Sequence, residues 1–220
     1  MNSLRIEIAN ADTFEQHLIA YQNFLKRINS DGNIRPALLR NMDDSAPGGL
    51  LYLINNERGD HRRWTPGCGE IALLYDDLTG AIVGVSAVEH NPLSDNISSG
   101  GNRCWLLQAF RKNHTVTNYL LNSNFIWTKK QEKIGMMLTF NYYNKRIYDA
   151  IVLRSRGKTG SINKFWSNWW NDCLPIEQPI MLHNTPQWAV IKPCADHRLI
   201  KQEIQELVEI YGATDVQYTE

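Results

Sequence analysis

The sequence has few of the features that place a protein at a glance. Its 220 residues hold only four cysteines, Cys68, Cys104, Cys173 and Cys194, and no two share CxxC spacing. A zinc site needs clustered ligands, and disulfide frameworks belong to small secreted chains. The expectation is four reduced, mostly buried thiols and no metal. No apolar run approaches the ~20 residues of a membrane span. The opening stretch MNSLRIEIANAD lacks a basic segment followed by an apolar one, so no secretory leader is expected and a cytoplasmic location is. Neither sign of charge is in excess, with 23 Lys+Arg against 23 Asp+Glu. Taken alone, that balance argues against a dedicated nucleic-acid binder. No internal repeat and no low-complexity segment is present.

What is present is an ordinary globular composition, 43% hydrophobic and 21% charged, at a length that suits one domain over residues 1–220. The charge is unevenly placed. Between Gly101 and Trp170 stand twelve Lys+Arg and two acids, Glu132 and Asp149, a local +10 that leaves −10 on the other 150 residues. A concentrated positive region in a neutral chain suits a polyanion, either the phosphates of a cofactor or those of a nucleic acid. A solvated basic face without a ligand is the plainer alternative.

Periodicity supplies the elements. Leu4–Asn10 alternates as a strand. Phe14, Leu18, Tyr21, Leu25 and Ile28 share one face of a helix capped at Asp12 or Thr13. Pro36–Met42 reads as a short helix, Leu50–Asn55 as a strand and Glu57–Gly69 as a loop. Glu70–Asp76 and Ala81–Glu89 flank Asp77-Leu78-Thr79-Gly80 as a hairpin. Asn91–Asn102 reads as a polar loop and Cys104–Phe110 as a buried strand. Val116–Glu132 is a helix, Ile134–Thr139 a strand and Lys145–Leu153 a helix. This strand–helix–strand–helix order is a parallel βαβ signature. Pro179–His183 and Gln187–Lys192 are short strands, and Asp196–Tyr211 is an amphipathic helix.

Three runs carry a family resemblance. The hairpin IALLYDDLTGAIVGVSAVEH, the run WLLQAF followed by RKNHTVTNYLL, and MMLTFN followed by YYNKRIYDAI resemble strands two to five and two helices of the GCN5-related N-acyltransferase (GNAT) fold. The likeness covers about residues 4 to 192. It implies an α/β fold with a mixed central sheet, an antiparallel N-terminal half, a βαβα acyl-CoA-binding core and flanking helices. It also implies acetyl-CoA or another acyl-CoA as cofactor and an amine, small or macromolecular, as acceptor, with no membrane partner. The family's Asn-x-x-Ala-x-x-Leu-Tyr pattern falls on Asn141, Asn144, Ile147 and Tyr148. Its pyrophosphate loop, Gln/Arg-x-x-Gly-x-Gly/Ala, falls on Arg111 onward, with His114 and Val116 where glycines are usual. Side chains there change how closely phosphates approach the backbone. Some viral members of the superfamily modify DNA bases, and the missing glycines resemble such divergence, which would make this a phage-type chain.

The resemblance thus implies a cofactor site over Leu107, Gln108, Ala109, Phe110, Arg111 and Lys112. It continues through Asn113, His114, Thr115, Val116 and Thr117, and adds Asn141 and Asn144. The cofactor would lie between splayed strands Cys104–Phe110 and Ile134–Asn141. A helix starting near Thr115 offers unpaired N–H groups and the positive end of its dipole, which hold a pyrophosphate without any glycine. Tyr148 is the family's usual general acid for the departing thiolate, and equally a core aromatic by its spacing. Glu89 or His90, at a strand end, could take the amine's proton or simply be solvated. Lys158, Lys164, Trp166, Trp169 and Trp170 form a basic aromatic segment that could stack on unpaired bases or pack as a patch. Gly157-Lys158-Thr159 lacks the upstream glycine of a phosphate loop, which excludes an ATPase. Two functions follow: an N-acyltransferase, or a nucleic-acid-associated protein of the same fold that modifies a DNA base or binds nucleic acid without acyl transfer.

Overall fold

The computed structural model describes residues 3–10, 12–30, 69–111, 114–142, 145–156, 168–182 and 185–213. The expected short helix at 36–42, the strand at 50–55 and the loop at 57–69 lie almost wholly outside them. The described residues form seven strands and four α-helices, with short 3-10 turns, and cluster into two compact units. Unit 1 comprises Met1–His90 and Gly100–Trp127; unit 2 comprises Asn91–Ser99 and Thr128–Glu220. No helix among the described residues is long and apolar enough to cross a membrane.

Unit 1 is built on the hairpin that the alternation marks. Strands β2 (Gly69–Asp76) and β3 (Ala81–His90) pair antiparallel, and β1 (Leu4–Ala9) pairs antiparallel with β2. Gly80 turns the corner at φ 65°, a left-handed value that favours glycine. Thr79 and Asp76 close the turn with a 2.9 Å hydrogen bond from Oγ1 to Oδ2. The first helix begins as a 3-10 turn, Phe14–His17, before α1 (Leu18–Ser30) takes over. Tyr21, Phe24 and Ile28 are almost fully buried there, at the helical spacing that puts them on one face.

The strand β4 (Ile97–Leu106) corrects the sequence reading at both ends. Residues 97–102, expected as loop, are strand; Gln108–Phe110, expected as strand, is a 3-10 turn. The composition Ser-Ser-Gly-Gly-Asn misled because it is turn-like, yet Ser98 and Ser99 are buried and satisfied. Ser98 Oγ lies 2.5 Å from Thr128 Oγ1, and Asn91 donates to Ser99 Oγ at 3.0 Å. Gly101 sits at φ 65°, a kink in the strand that other residues resist. From Gly100 onward β4 lies beside β3 in unit 1; its first residues lie beside β5 (Gly135–Asn141) in unit 2.

The helix α2 (His114–Lys130) joins β4 to β5, and a strand joined to its neighbour through a helix runs parallel to it, so the sheet is mixed. Within unit 1, Val116, Leu120 and Asn124 occupy one i, i+4 row of α2 and are all buried. Gly84 of β3 makes room for that row. Asn124 then fixes its height: Ser86 Oγ donates to Asn124 Oδ1 at 2.6 Å, Gly101 N donates to the same oxygen at 3.2 Å, and Asn124 Nδ2 donates to Ser86 O at 3.4 Å.

In unit 2, β5 pairs antiparallel with β7 (Thr185–Pro193), and β7 with β6 (Leu174–Leu182). The strand β6 is longer than the expected Pro179–His183, because an edge strand tolerates Pro175 and Pro179 where a central one would not. Its register shifts between Ile176 and Ile180. Two helices complete the unit, α3 (Lys145–Ser155) and α4 (His197–Tyr211). Asp196 caps α4 by accepting from Arg198 N at 2.8 Å. Ile200 and Leu207 of α4 join Met137, Ile176, Ala189 and Ile191 in the core of this unit.

A Cβ at Gly84 would run into the Leu106 side chain and stand 3.2 Å from Leu120 Cδ1 and 3.3 Å from the Trp105 carbonyl oxygen. Gly84→Val should therefore lower the unfolding free energy by about 1–3 kcal/mol. In urea titrations this shows as a lower midpoint at unchanged slope. An unchanged midpoint would contradict the close approach.

Candidate functional site

The residues expected to hold a cofactor fall in both units. In unit 1, Leu107 leaves β4 buried, its N–H donating to Val83 O at 2.9 Å. Gln108 and Ala109 are exposed, and Phe110 packs against the unit's core. The tight turn closes with Phe110 N donating to Leu107 O at 2.8 Å and Arg111 N to Gln108 O at 3.2 Å. The Arg111 side chain folds back, and its Nε donates to Leu106 O at 2.8 Å. The guanidinium charge is thereby held at the turn between β4 and α2. Lys112 and Asn113 lie outside the described residues. His114 and Thr115 open α2 with their backbone. Val116, at a position where the family's loop has a small residue, is buried in the core, and Thr117 is half-buried. Its side chain therefore serves packing at the first turn of the helix.

The physical content of this turn is a helix start. The 17-residue α2 has no acidic residue in its first turn and two lysines, Lys129 and Lys130, in its last. The two lysines complement the negative end of the helix dipole, while no acid offsets its positive end. The first turn is left with unpaired N–H groups and a net positive end, next to an arginine.

Glu89 and His90 close β3 in the same unit. Glu89 is half-buried, and the exposed His90 sets its ring edge-on to Trp127 at 5.3 Å between centroids.

In unit 2, Asn141 is the last residue of β5, paired with Gln187; Asn144 lies outside the described residues. Tyr148, on α3, is buried at 5% exposure and donates its phenol proton to Ile176 O at 2.8 Å. Its ring stacks on Trp188 at 4.9 Å. Desolvation, then the charges of Glu177 and Asp149, push the phenol up to about 12. The hydroxyl is thus held protonated and already engaged. Burial likewise lifts Cys104 and Cys194 to about 11 and Cys173 to about 12, so these three thiols resist becoming nucleophiles.

The basic aromatic segment is only partly visible. Lys158, Lys164 and Trp166 lie outside the described residues. Trp169 and Trp170 meet edge-on at 4.8 Å, Trp170 is buried, and Lys192 Nζ lies 4.9 Å over the Trp169 ring. Lys192 also donates to Trp169 O at 2.5 Å and pairs with Asp172. Elsewhere in the positive region, Lys145 pairs with Asp149 at 2.7 Å and Arg156 with Glu177 at 2.7 Å. Sequence reasoning missed Trp188 and Lys192. Their partners are remote in the chain, so no local pattern singles them out.

No family model matches this sequence, and no curated protein matches it either. Solved structures do match by shape. A probable acetyltransferase from Staphylococcus epidermidis ATCC 12228 aligns at TM-score 0.52 with 12% identity, covering 88% of this chain and 100% of that one. A candidate GNAT-family acetyltransferase from Desulfovibrio desulfuricans aligns at TM-score 0.52 with 7% identity, again covering 88% and 100%. At such identities the likeness establishes the α/β GNAT acetyltransferase fold. Neither neighbour is a phage protein, so the phage-type expectation draws no support from them.

The Tyr148 phenol yields a test of its own surroundings. An unfolded tyrosine ionises near 10, whereas Tyr148 holds its proton up to about 12. The stability this contributes is complete below pH about 10 and is lost as pH rises through about 12. Tyr148→Phe also strips a hydrogen bond from the Ile176 carbonyl, at about 1–2 kcal/mol. Wild type should therefore exceed the variant in stability at pH 8, with the gap closing between pH about 10 and about 12. A gap that stays constant over that range in urea titrations would show the phenol to be unburied.

Proposed function

We propose that this chain is an acyl-CoA-dependent N-acyltransferase that moves an acetyl or related acyl group to an amine. The observation that carries the proposal is the start of α2. A strand, a tight turn holding Arg111 against Leu106 O, and a long helix with no acid in its first turn suit a pyrophosphate. The residues present fit the cofactor: N–H groups of the first turn of α2 and the Arg111 guanidinium would hold its phosphates. Val116 packs inward, so the loop's lack of glycine does not put that side chain in the anion's way.

A bound acyl-CoA supplies an activated thioester carbonyl, and the amine attacks it directly. The chain's residues then have two proton tasks. One is to accept the proton of the attacking amine, for which Glu89, at the end of β3, is the candidate, directly or through a water relay. The other is to meet the negative charge on the departing sulfur, which falls to Tyr148. A thiol ionises near 8.5, well below a phenol held to about 12. That order favours a hydrogen bond from Tyr148 to the thiolate over complete proton transfer, and it requires the phenol to exchange its bond to Ile176 O for one to sulfur.

The alternative, a nucleic-acid-associated protein of this fold, has less support among the described residues. Trp169 packs on Trp170 and on Lys192, and Lys145 and Arg156 spend their charge on nearby acids.

Acetyl-CoA in hundredfold excess over Kd should stabilise the protein by about 3 kcal/mol, and each kcal/mol raises Tm by about 2–4 °C in a chain of this size. Arg111→Ala should shrink that rise. No shift at millimolar acetyl-CoA, together with DNA binding that weakens steeply with salt, would favour the alternative. Once an acceptor is found, Tyr148→Phe should lower kcat; full turnover would remove its assigned role.

A further inference from the structure

The surroundings of the Tyr148 hydroxyl decide how that group can change partners. The Tyr148 ring stacks on Trp188 at 4.9 Å and 28°. Trp188, on β7, is itself buried and held: Tyr142 stacks on it at 5.8 Å and 14°, and the Lys145 ammonium stands 5.0 Å from its centroid. Its indole Nε1–H is buried without a hydrogen-bond partner, so what the residue contributes is a ring face. The acceptor of the phenol is equally fixed. Strand β6 leaves its register with β7 after Ile176, so that Glu177, Gln178 and Pro179 together oppose Trp188 alone. Ile176, the last residue before this bulge, is fully buried, and its carbonyl accepts from Tyr148 at 2.8 Å.

Buried and stacked on Trp188, the phenol ring is held in place, but its O–H still rotates about the bond to the ring to suit an acceptor. Charge decides which acceptor wins. A thioester sulfur is neutral and a weaker acceptor than a carbonyl oxygen, so Ile176 O keeps the bond. A thiolate is ionised, and hydrogen bonds to ionised acceptors are roughly twice as strong as neutral ones. In acyl transfer the N–C bond forms, the amine's proton goes to the base, and the C–S bond breaks with its electron pair on sulfur. Tyr148 keeps its own proton and donates to the new anion. The carboxylates nearby oppose loss of that proton, and each carries its own cation. Among the described residues, Asp149 pairs with Lys145 at 2.7 Å, Glu177 with Arg156 at 2.7 Å, and Asp172 with Lys192.

We propose that Tyr148 is a charge-triggered donor, which stays on Ile176 O while the sulfur is neutral and turns to sulfur only as negative charge develops there. Trp188 is the positioning residue that keeps the ring still through the exchange. An interaction made only as the charge develops speeds the chemical step without tightening substrate binding. Both roles rest on the acyltransferase reading, in which the sulfur comes within reach of Tyr148.

The test compares two ligands of the whole chain that differ only at sulfur. CoA carries a thiol that ionises, and S-ethyl-CoA a thioether that stays neutral. Calorimetry measures both affinities from neutral pH to above the ionisation of the CoA thiol. In wild type the preference for CoA over S-ethyl-CoA should rise about tenfold as the thiol ionises. Tyr148→Phe should bind S-ethyl-CoA as wild type does and lose that rise. Trp188→Leu, which removes the ring face, should reduce the rise, and Trp188→Phe, which keeps a face without the unmet N–H, should recover it. A preference that stays flat in wild type, or rises equally in Tyr148→Phe, overturns the trigger. A folded Tyr148→Phe chain that loses S-ethyl-CoA as much as CoA overturns it too, and an undiminished rise in Trp188→Leu removes the positioning role. Binding of both ligands without the rise leaves the acyltransferase reading standing, whereas binding of neither overturns that reading and the trigger with it.

Discussion

The first unit depends on one buried side-chain amide. Asn124 links β3, through Ser86, to the Gly101 kink of β4. A hydrogen-bonded amide in a dry interior tolerates little sliding, since a shift would leave donors or acceptors unmet. It therefore sets the height of α2 against the strands, and with it the place where the helix starts. Leu120 against Gly84 and Val116 in the core repeat the constraint one and two turns earlier. The turn of residues 107–111 has to span whatever distance that height leaves, and Arg111 secures it to Leu106 O. A helix start becomes an anion site only if its orphan N–H groups are held steady, which this arrangement achieves with side chains where a glycine loop would use bare backbone.

How far the sequence disclosed this varies along the chain. The β2–β3 hairpin was legible because alternation and Asp-Leu-Thr-Gly agree. Helix α4 was legible from its amphipathic apolar row, and the structure adds Asp196 as its cap. The strand β4 was not. Its first half is Ser-Ser-Gly-Gly-Asn, and only partners elsewhere, Thr128, Asn91 and Asn124, make those residues burial-compatible. Local composition holds no trace of a bond to a residue 30 positions away. The same limit hid Trp188, whose partners Tyr148 and Tyr142 come from another element, and concealed the length of β6, whose prolines read as stops.

The candidate site was legible to a similar degree. In the run from Leu107 to Thr117, Gln108–Phe110 is a 3-10 turn where a strand end was expected, and a helix begins at His114, close to the expected start at Thr115. Tyr148 was identified by a family pattern, and the fold buries it on an engaged hydroxyl. That gives the residue two tasks, a packed aromatic on Trp188 and a hydrogen-bond donor whose present acceptor is a backbone carbonyl. The basic region between Gly101 and Trp170 divides into cations with different duties. Arg111 braces a turn, Lys145 and Arg156 pair with acids, and Lys192, outside the region, anchors the Trp169 segment.

Native mass spectrometry of the freshly purified chain, before and after incubation with millimolar acetyl-CoA, tests the acyl-CoA site most directly because it assumes no acceptor. The account predicts a one-to-one adduct with the mass of CoA or its acetyl thioester, diminished in Arg111→Ala. A chain that remains at its apo mass under both conditions would contradict it.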